Sequence, residues 1–85
     1  MTVKAIRQLK TLHGAGQLED PSGHSTSVSY ILLEREEILE GTIRAGRLPP
    51  AREGVLHIED GRRIKVILKA SDGQVAQVDS TGPPF

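Results

Sequence analysis

Two stretches of this chain share one pattern, and that pattern belongs to β-hairpins. Leu18-Glu19-Asp20, then Gly23 and Val28, recurs as Ile58-Glu59-Asp60, then Gly61 and Val66. Gly14 and Gly54 stand at the same distance before the two acidic pairs. Each copy runs from an apolar residue through an acidic, glycine-containing turn into an alternating apolar stretch. Pro21 and Ser22 have no counterpart in the second copy, whose turn is therefore expected to close sooner. A chain of 85 residues built this way is expected to be one all-β domain, with at most one short helix. About five or six mostly antiparallel strands would form a small barrel or a two-layer sandwich. The domain is expected to span residues 1–79, with 80–85 as a flexible tail.

The second copy constrains its own register, because a one-residue slip turns every side chain over. A two-residue turn at Asp60-Gly61 would set Leu56 against Lys65 and His57 against Ile64, mixing apolar and charged groups on both faces. A three-residue loop, Glu59-Asp60-Gly61, with Gly61 in the left-handed region, pairs Ile58 with Arg62, Leu56 with Ile64 and Gly54 with Val66. It gathers Leu56, Ile58, Ile64, Val66 and Leu68 on one face. Val55, His57, Glu59, Arg63, Lys65, Ile67 and Lys69 fall on the other. The odd loop separates core from solvent and is the expected one.

Elsewhere the pattern is less decisive. Thr2 to His13 has Val3, Ile6 and Leu9 at helical spacing, with Thr2 as a cap and Gly14 as a stop. It also reads as a strand that continues through Gly14-Ala15-Gly16 into Gln17-Leu18, and the strand is preferred. From Ser27, Val28, Tyr30 and Leu32 share one face while Ile31 and Leu33 share the other, so a central strand, or one covered on its second side, is expected. Ile38 to Ala45 reads as a strand with Leu39, Ile43 and Ala45 inward and Gly41 at a bulge or close crossing. A helical turn over residues 36–39 is the alternative. Leu48-Pro49-Pro50 is expected to be an exposed connector, because Pro50 cannot donate to a ladder. Gln74 to Asp79 is the last strand, after a Ser71-Asp72-Gly73 turn.

Only 36% of the residues are apolar, and Tyr30 and Phe85 are the only aromatic ones. A core of Ile, Leu and Val this modest makes self-association over a further sheet face the expectation. Eleven basic residues balance eleven acidic ones, which argues against a dedicated nucleic-acid binder. The absence of cysteine removes disulfides, thiolate zinc sites and thiol nucleophiles, and fits a reducing compartment. The longest apolar run, Tyr30-Ile31-Leu32-Leu33, is too short for a membrane span, and nothing near Met1 reads as a signal peptide. The expectation is a soluble cytoplasmic protein with no membrane partner.

Candidate chemistry is sparse. His13, His24 and His57, with Glu19 or Asp20, match no compact ligand spacing and read as surface or turn histidines. Ser22, Ser25, Ser27 and Ser29 beside His24 lack an oriented base and an oxyanion loop, and the alternate serines read as one polar strand face. Glu34, Glu36, Glu37 and Glu40 read as a solvated strand end. No metal, cofactor or catalytic residue is expected. The remaining feature is the basic set Arg44, Arg47, Arg52, His57, Arg62, Arg63, Lys65 and Lys69, a candidate surface for a partner or a nucleic acid. Small barrels bind single strands by pairing such cations with stacking aromatics. Neither Tyr30, on the expected core face, nor Phe85, in the expected tail, supplies that platform, so contact with a duplex or structured RNA backbone is the form left. Val55 and Ile67, apolar on an otherwise charged face, point to partial cover by an oligomer or the N-terminal arm.

The run Gly54 to Val66 (Gly-x-Leu-x-Ile-Glu-Asp-Gly-Arg-Arg-Ile-x-Val) is joined by Gly41-Thr42-Ile43 and Val28-Ser29-Tyr30. Together they resemble a hairpin of small uncharacterised bacterial β-barrel and β-sandwich proteins. The resemblance implies a compact β fold and brings no catalytic residues with it. The expected function is a non-enzymatic interaction, accessory or inhibitor module that forms a homodimer. Nucleic-acid binding through the basic residues between Arg44 and Lys69 is the alternative.

Overall fold

Six strands follow one another: β1 (Lys10–Glu19), β2 (Ser25–Arg35), β3 (Ile38–Arg44), β4 (Glu53–His57), β5 (Arg63–Ser71) and β6 (Val75–Ser80). The structure is a computed structural model that describes residues 10–35, 38–82 and 84–85. All neighbouring strands are antiparallel, and the order β1-β2-β3-β6-β5-β4 closes into a barrel. Among the described residues there is no helix. The helical readings of the N-terminus and of residues 36–39 give way to strand at Lys10 and at Ile38; residues 1–9, 36 and 37 lie outside the described ones.

Closure decides barrel over sandwich, and it rests on a short seam. Gln17, Leu18 and Glu19 of β1 pair with His57, Leu56 and Val55 of β4. A Cβ at Gly16 would run into the His57 carbonyl, and one at Gly54 would stand 2.7 Å from the Glu19 carbonyl oxygen. Glycine at these two positions lets the backbones approach closely enough to join.

The β4–β5 hairpin has the expected odd register. Leu56 pairs with Ile64 and Gly54 with Val66, the Ile58 N–H donates to the Arg62 carbonyl at 3.1 Å, and Gly61 has φ of +92°. Leu56, Ile58, Ile64, Val66 and Leu68 are all buried. The first hairpin is built around a matching loop. The Asp20 N–H donates to the His24 carbonyl at 2.9 Å, and Gly23, with φ of +90°, occupies the place of Gly61. The loops Pro21-Ser22-Gly23 and Glu59-Asp60-Gly61 are therefore equivalent, and Asp20 corresponds in position to Ile58, not to Asp60. The second copy does not turn sooner; the matched acids sit at different steps of one loop.

The core contains Leu18, Val28, Tyr30, Leu32, Leu39, Ile43, Leu48, Leu56, Ile58, Ile64, Val66, Leu68, Ala76 and Val78. No polar or charged residue is buried among the described residues. The structure corrects several expectations. β2 is a central strand between β1 and β3, as one of the two readings had it. Its second face is not covered as the other had it: Ile31 is 60% exposed and Leu33 only partly buried among the described residues, because a single-layer barrel buries only one face of each strand. Gly41 lies in unbroken register opposite Leu32, where a Cβ would meet the Ile31 carbonyl. It marks a close crossing, and the bulge falls between Leu68 and Ala70 instead. Leu48 is buried, although its segment is a connector as expected. Its N–H donates to the Gly73 carbonyl at 2.7 Å and that of Ala45 to the Gln74 carbonyl at 2.9 Å, which folds the connector over the barrel mouth. The expected tail lies along β5: the Thr81 N–H donates to the Lys65 carbonyl, and Phe85 and Arg63 exchange bonds of 2.8 and 3.1 Å.

Candidate functional site

The basic residues expected to form a surface are divided between the two ends of the barrel. Arg44, Arg47 and Arg52 lie exposed around the mouth that holds the connector and the β5–β6 turn. His57, Arg62, Arg63 and Lys65 lie towards the opposite mouth. Lys69 stands at the β5 bulge and lines, with Arg52, the cleft beside the connector. Several already face acids. The Arg62 Nε is 2.7 Å from Asp60 and its Nη1 is 3.8 Å from Glu34. The Lys69 ammonium is 2.9 Å from Asp79, which holds its pKa above the ordinary range. The His57 Nε2 is 3.2 Å from Glu19. The barrel does not gather these cations into one patch.

Phe85 acquires a position that its place in the sequence did not indicate. The Arg63 guanidinium lies 4.5 Å from its ring centroid and the Lys65 ammonium 5.6 Å. The ring is about half exposed at 49%. Two cations cover an aromatic that would otherwise be open to a base, so Phe85 serves its own chain as a cation–π partner.

At the mouth opposite the connector, Tyr30 and Glu59 form a second device that the sequence did not reveal. The Glu59 N–H donates to the Tyr30 hydroxyl at 3.2 Å, giving the one core aromatic a polar partner at the barrel end. The Glu59 carboxylate then reaches back across the seam and accepts the Ala15 N–H at 3.1 Å. It fills the space over Gly14, where a Cβ would stand 2.8 Å from its Cδ. The β4–β5 turn is thus tied to β1 beyond the last ladder pair.

Outside, the two sides of the barrel differ in charge. The β4–β5 wall carries Glu53, Val55, His57, Arg63, Lys65, Ile67 and Lys69 outward, as the odd register requires. Between Pro21, Val55, Lys65 and Ile67, with Glu19 and Glu53 at its rim, it holds a groove of about 470 Å³. The β1–β2 wall is uncharged over three successive rungs. Gln17 lies opposite Ser27, Ala15 opposite Ser29, and His13 opposite Ile31; across β3 and β6, Ile31 continues to Thr42 and Gln77. Arg44 and Glu40 flank Thr42 on β3 and mark the edge of this surface. The serines at 25, 27 and 29 are exposed on one strand face, as expected.

No group of three or more metal-ligating side chains comes together among the described residues. His13 is on the uncharged wall, His24 in the first turn and His57 against Glu19. Glu34 and Glu40 take up arginines, the latter 3.5 Å from Arg35, while Glu36 and Glu37 lie outside the described residues. No helix of the described residues is long and apolar enough to cross a membrane.

No family model, curated protein or solved structure matches the chain. The sequence pattern places the outward positions of β4 and β5 but does not single out Ile31, because apolar residues on both faces of β2 suit a central strand or a covered one equally. The run Ser25, Ser27, Ser29, uncharged and small, was the available signal for a surface that excludes charge.

Proposed function

We propose that this barrel is a non-enzymatic protein-interaction module of the accessory or inhibitor type, that it binds through the uncharged β1–β2 wall, and that it self-associates. The observation that carries this reading is the division of charge between the walls. In a chain where 26% of residues are charged, the outward rungs from Gln17 and Ser27 to His13 and Ile31 hold no lysine, arginine or carboxylate. The buried centres of protein interfaces are depleted in charge because a charge that loses water there must be paired. Ile31, at 60% exposure, is an apolar anchor in such a field. The interior supports the same reading, since fourteen apolar side chains of the described residues pack there and leave the outer surface as the place for recognition.

Nucleic-acid binding is the weaker reading on this geometry. It needs cations able to reach phosphates together, whereas Arg62, Lys69 and His57 face Asp60, Asp79 and Glu19. The experiment that tests the choice is capture of partners by the full chain from nuclease-treated native-host lysate. A protein recovered in fixed proportion, with retention unchanged by nuclease, is the expected result. Recovery that disappears with nuclease, and binding to mixed RNA that falls steeply with salt, would replace this reading with the other.

A further inference from the structure

The barrel seam leaves part of β1 without a neighbour on one side among the described residues. β4 pairs only with residues 17–19 of β1, and Glu59 takes the Ala15 N–H. From Lys10 to Gly14 the strand pairs with β2 on one side, and on the other it has no backbone partner among the described residues. Alternation decides which groups this edge offers. The Ala15 N–H points away from β2, so the N–H and C=O of His13 and Thr11 point the same way, while those of Leu12 serve β2. Leu12 faces inward and is only partly buried, packed at the margin of the core.

We infer that this edge is the self-association surface and that its partner is the same edge of a second copy, related by a two-fold axis through Leu12. The inference rests on the self-association part of the proposed function and names its site. An antiparallel pairing centred there sets Thr11 against the partner copy's His13 and the reverse. Both are hydrogen-bonded pairs, so four backbone bonds form and every group offered by the two edges is used. Leu12 then meets its own equivalent in the closer, non-hydrogen-bonded position, which covers the half-exposed side chain. Lys10 falls opposite Gly14 of the second copy, and the space over Gly14 is where the Glu59 carboxylate lies, 2.8 Å from a Cβ built there. Each copy therefore places an ammonium beside a carboxylate of the other, twice by symmetry. Slipping the register by two residues in either direction would lose both ion pairs. The pairing also joins the two uncharged walls side by side into one larger surface.

The test uses the full chain, with amide hydrogen exchange followed by NMR while sedimentation tracks the dimer from about 10 μM to about 1 mM, a range suited to a weak edge contact. The expected result is protection at Thr11 and His13 that rises with the dimer fraction, while Leu12, already bonded to β2, keeps constant protection. Lys10→Glu is expected to weaken dimerisation about tenfold, and Lys10→Glu with Glu59→Lys to recover most of that loss, as a repaired ion pair should. His13→Pro removes one edge donor and leaves the β2 ladder intact; it is expected to abolish the dimer with the barrel still folded by circular dichroism. A chain that stays monomeric at about 1 mM overturns the inference together with self-association. A dimer in which Thr11 and His13 exchange independently of concentration overturns the edge alone and leaves the interaction-module reading standing.

Discussion

Three aspartates hold three turns by one device. Asp20 Oδ1 accepts the N–H groups of Ser22 and His24, Asp60 Oδ1 that of Arg62, and Asp72 Oδ1 those of Gln74 and Val75. Each carboxyl is held below its ordinary value of 3.8: Asp20 chiefly by the Ser22 hydroxyl, Asp60 by the Arg62 N–H and Asp72 by the Val75 N–H. A carboxyl with a depressed folded pKa binds fewer protons in the folded chain than in the unfolded one. Its stabilisation is fully present above the ordinary value and is lost as pH falls through the folded one. The urea midpoint is therefore expected to hold steady from neutrality and to decline below about pH 4. Asp72→Asn keeps the acceptor oxygen but removes the titration, so it is expected to lower the midpoint at neutral pH and to converge with the parent chain in strong acid. Lys69 has the opposite sign. With its pKa raised by Asp79, its contribution is lost as alkaline pH passes through the folded value. The aspartates were legible as turn formers, since Asp and Gly stand together at each turn. Phe85 was not, because its position depends on the bonds of Thr81 and Phe85 to β5, which no local pattern encodes.

Among the elements, the register of the β4–β5 hairpin was legible, though not the turn of Glu59 from the outer face to Ala15, and the β1–β2 hairpin was legible only in part. In the former, charge and apolarity alternate except at Val55 and Ile67, and one register still separates the two faces. In the latter, serines and glycines satisfy either register, and the eye is drawn to the acids shared with the second copy. The loops are matched through Gly23 and Gly61 instead, which fixes Asp20 at the base of its loop. The connector between β3 and β4 was legible as a non-strand from its prolines, but the burial of Leu48 depends on contacts with a turn that comes later in the chain. Leu48→Ala would open a cavity at that mouth, with an expected loss of about 2–5 kcal/mol in urea unfolding. At the other mouth, Tyr30→Phe would leave the Glu59 N–H without its acceptor, with an expected loss of about 1 kcal/mol. Retention of parent stability by Leu48→Ala would mean that the connector does not plug the barrel.

For the whole molecule, composition and turn spacing indicated a small β structure, and closure into a barrel was the part left open. Closure depends on three residue pairs between β1 and β4, which are distant in sequence and marked only by the glycines that permit their approach. Gly16→Ala is expected to destabilise the barrel by about 1–3 kcal/mol, because backbone must move to clear the His57 carbonyl. Thermal unfolding of that variant against Ala15→Gly, at an exposed neighbouring site, separates the seam from a general loss of strand propensity. The division of the surface into an uncharged and a charged wall is likewise a property of the closed molecule. The serines, His13 and Ile31 are scattered along the sequence until β1 and β2 pair and turn one face outward. The function proposed here depends on that division. The most direct test is capture of the partner by two charge-altered chains, Ile31→Glu on the uncharged wall and Arg63→Glu on the charged one. Loss of capture by Ile31→Glu, with the fold intact and Arg63→Glu still competent, is the expected result. Retention by Ile31→Glu with loss by Arg63→Glu would contradict it and move the working surface to the β4–β5 wall.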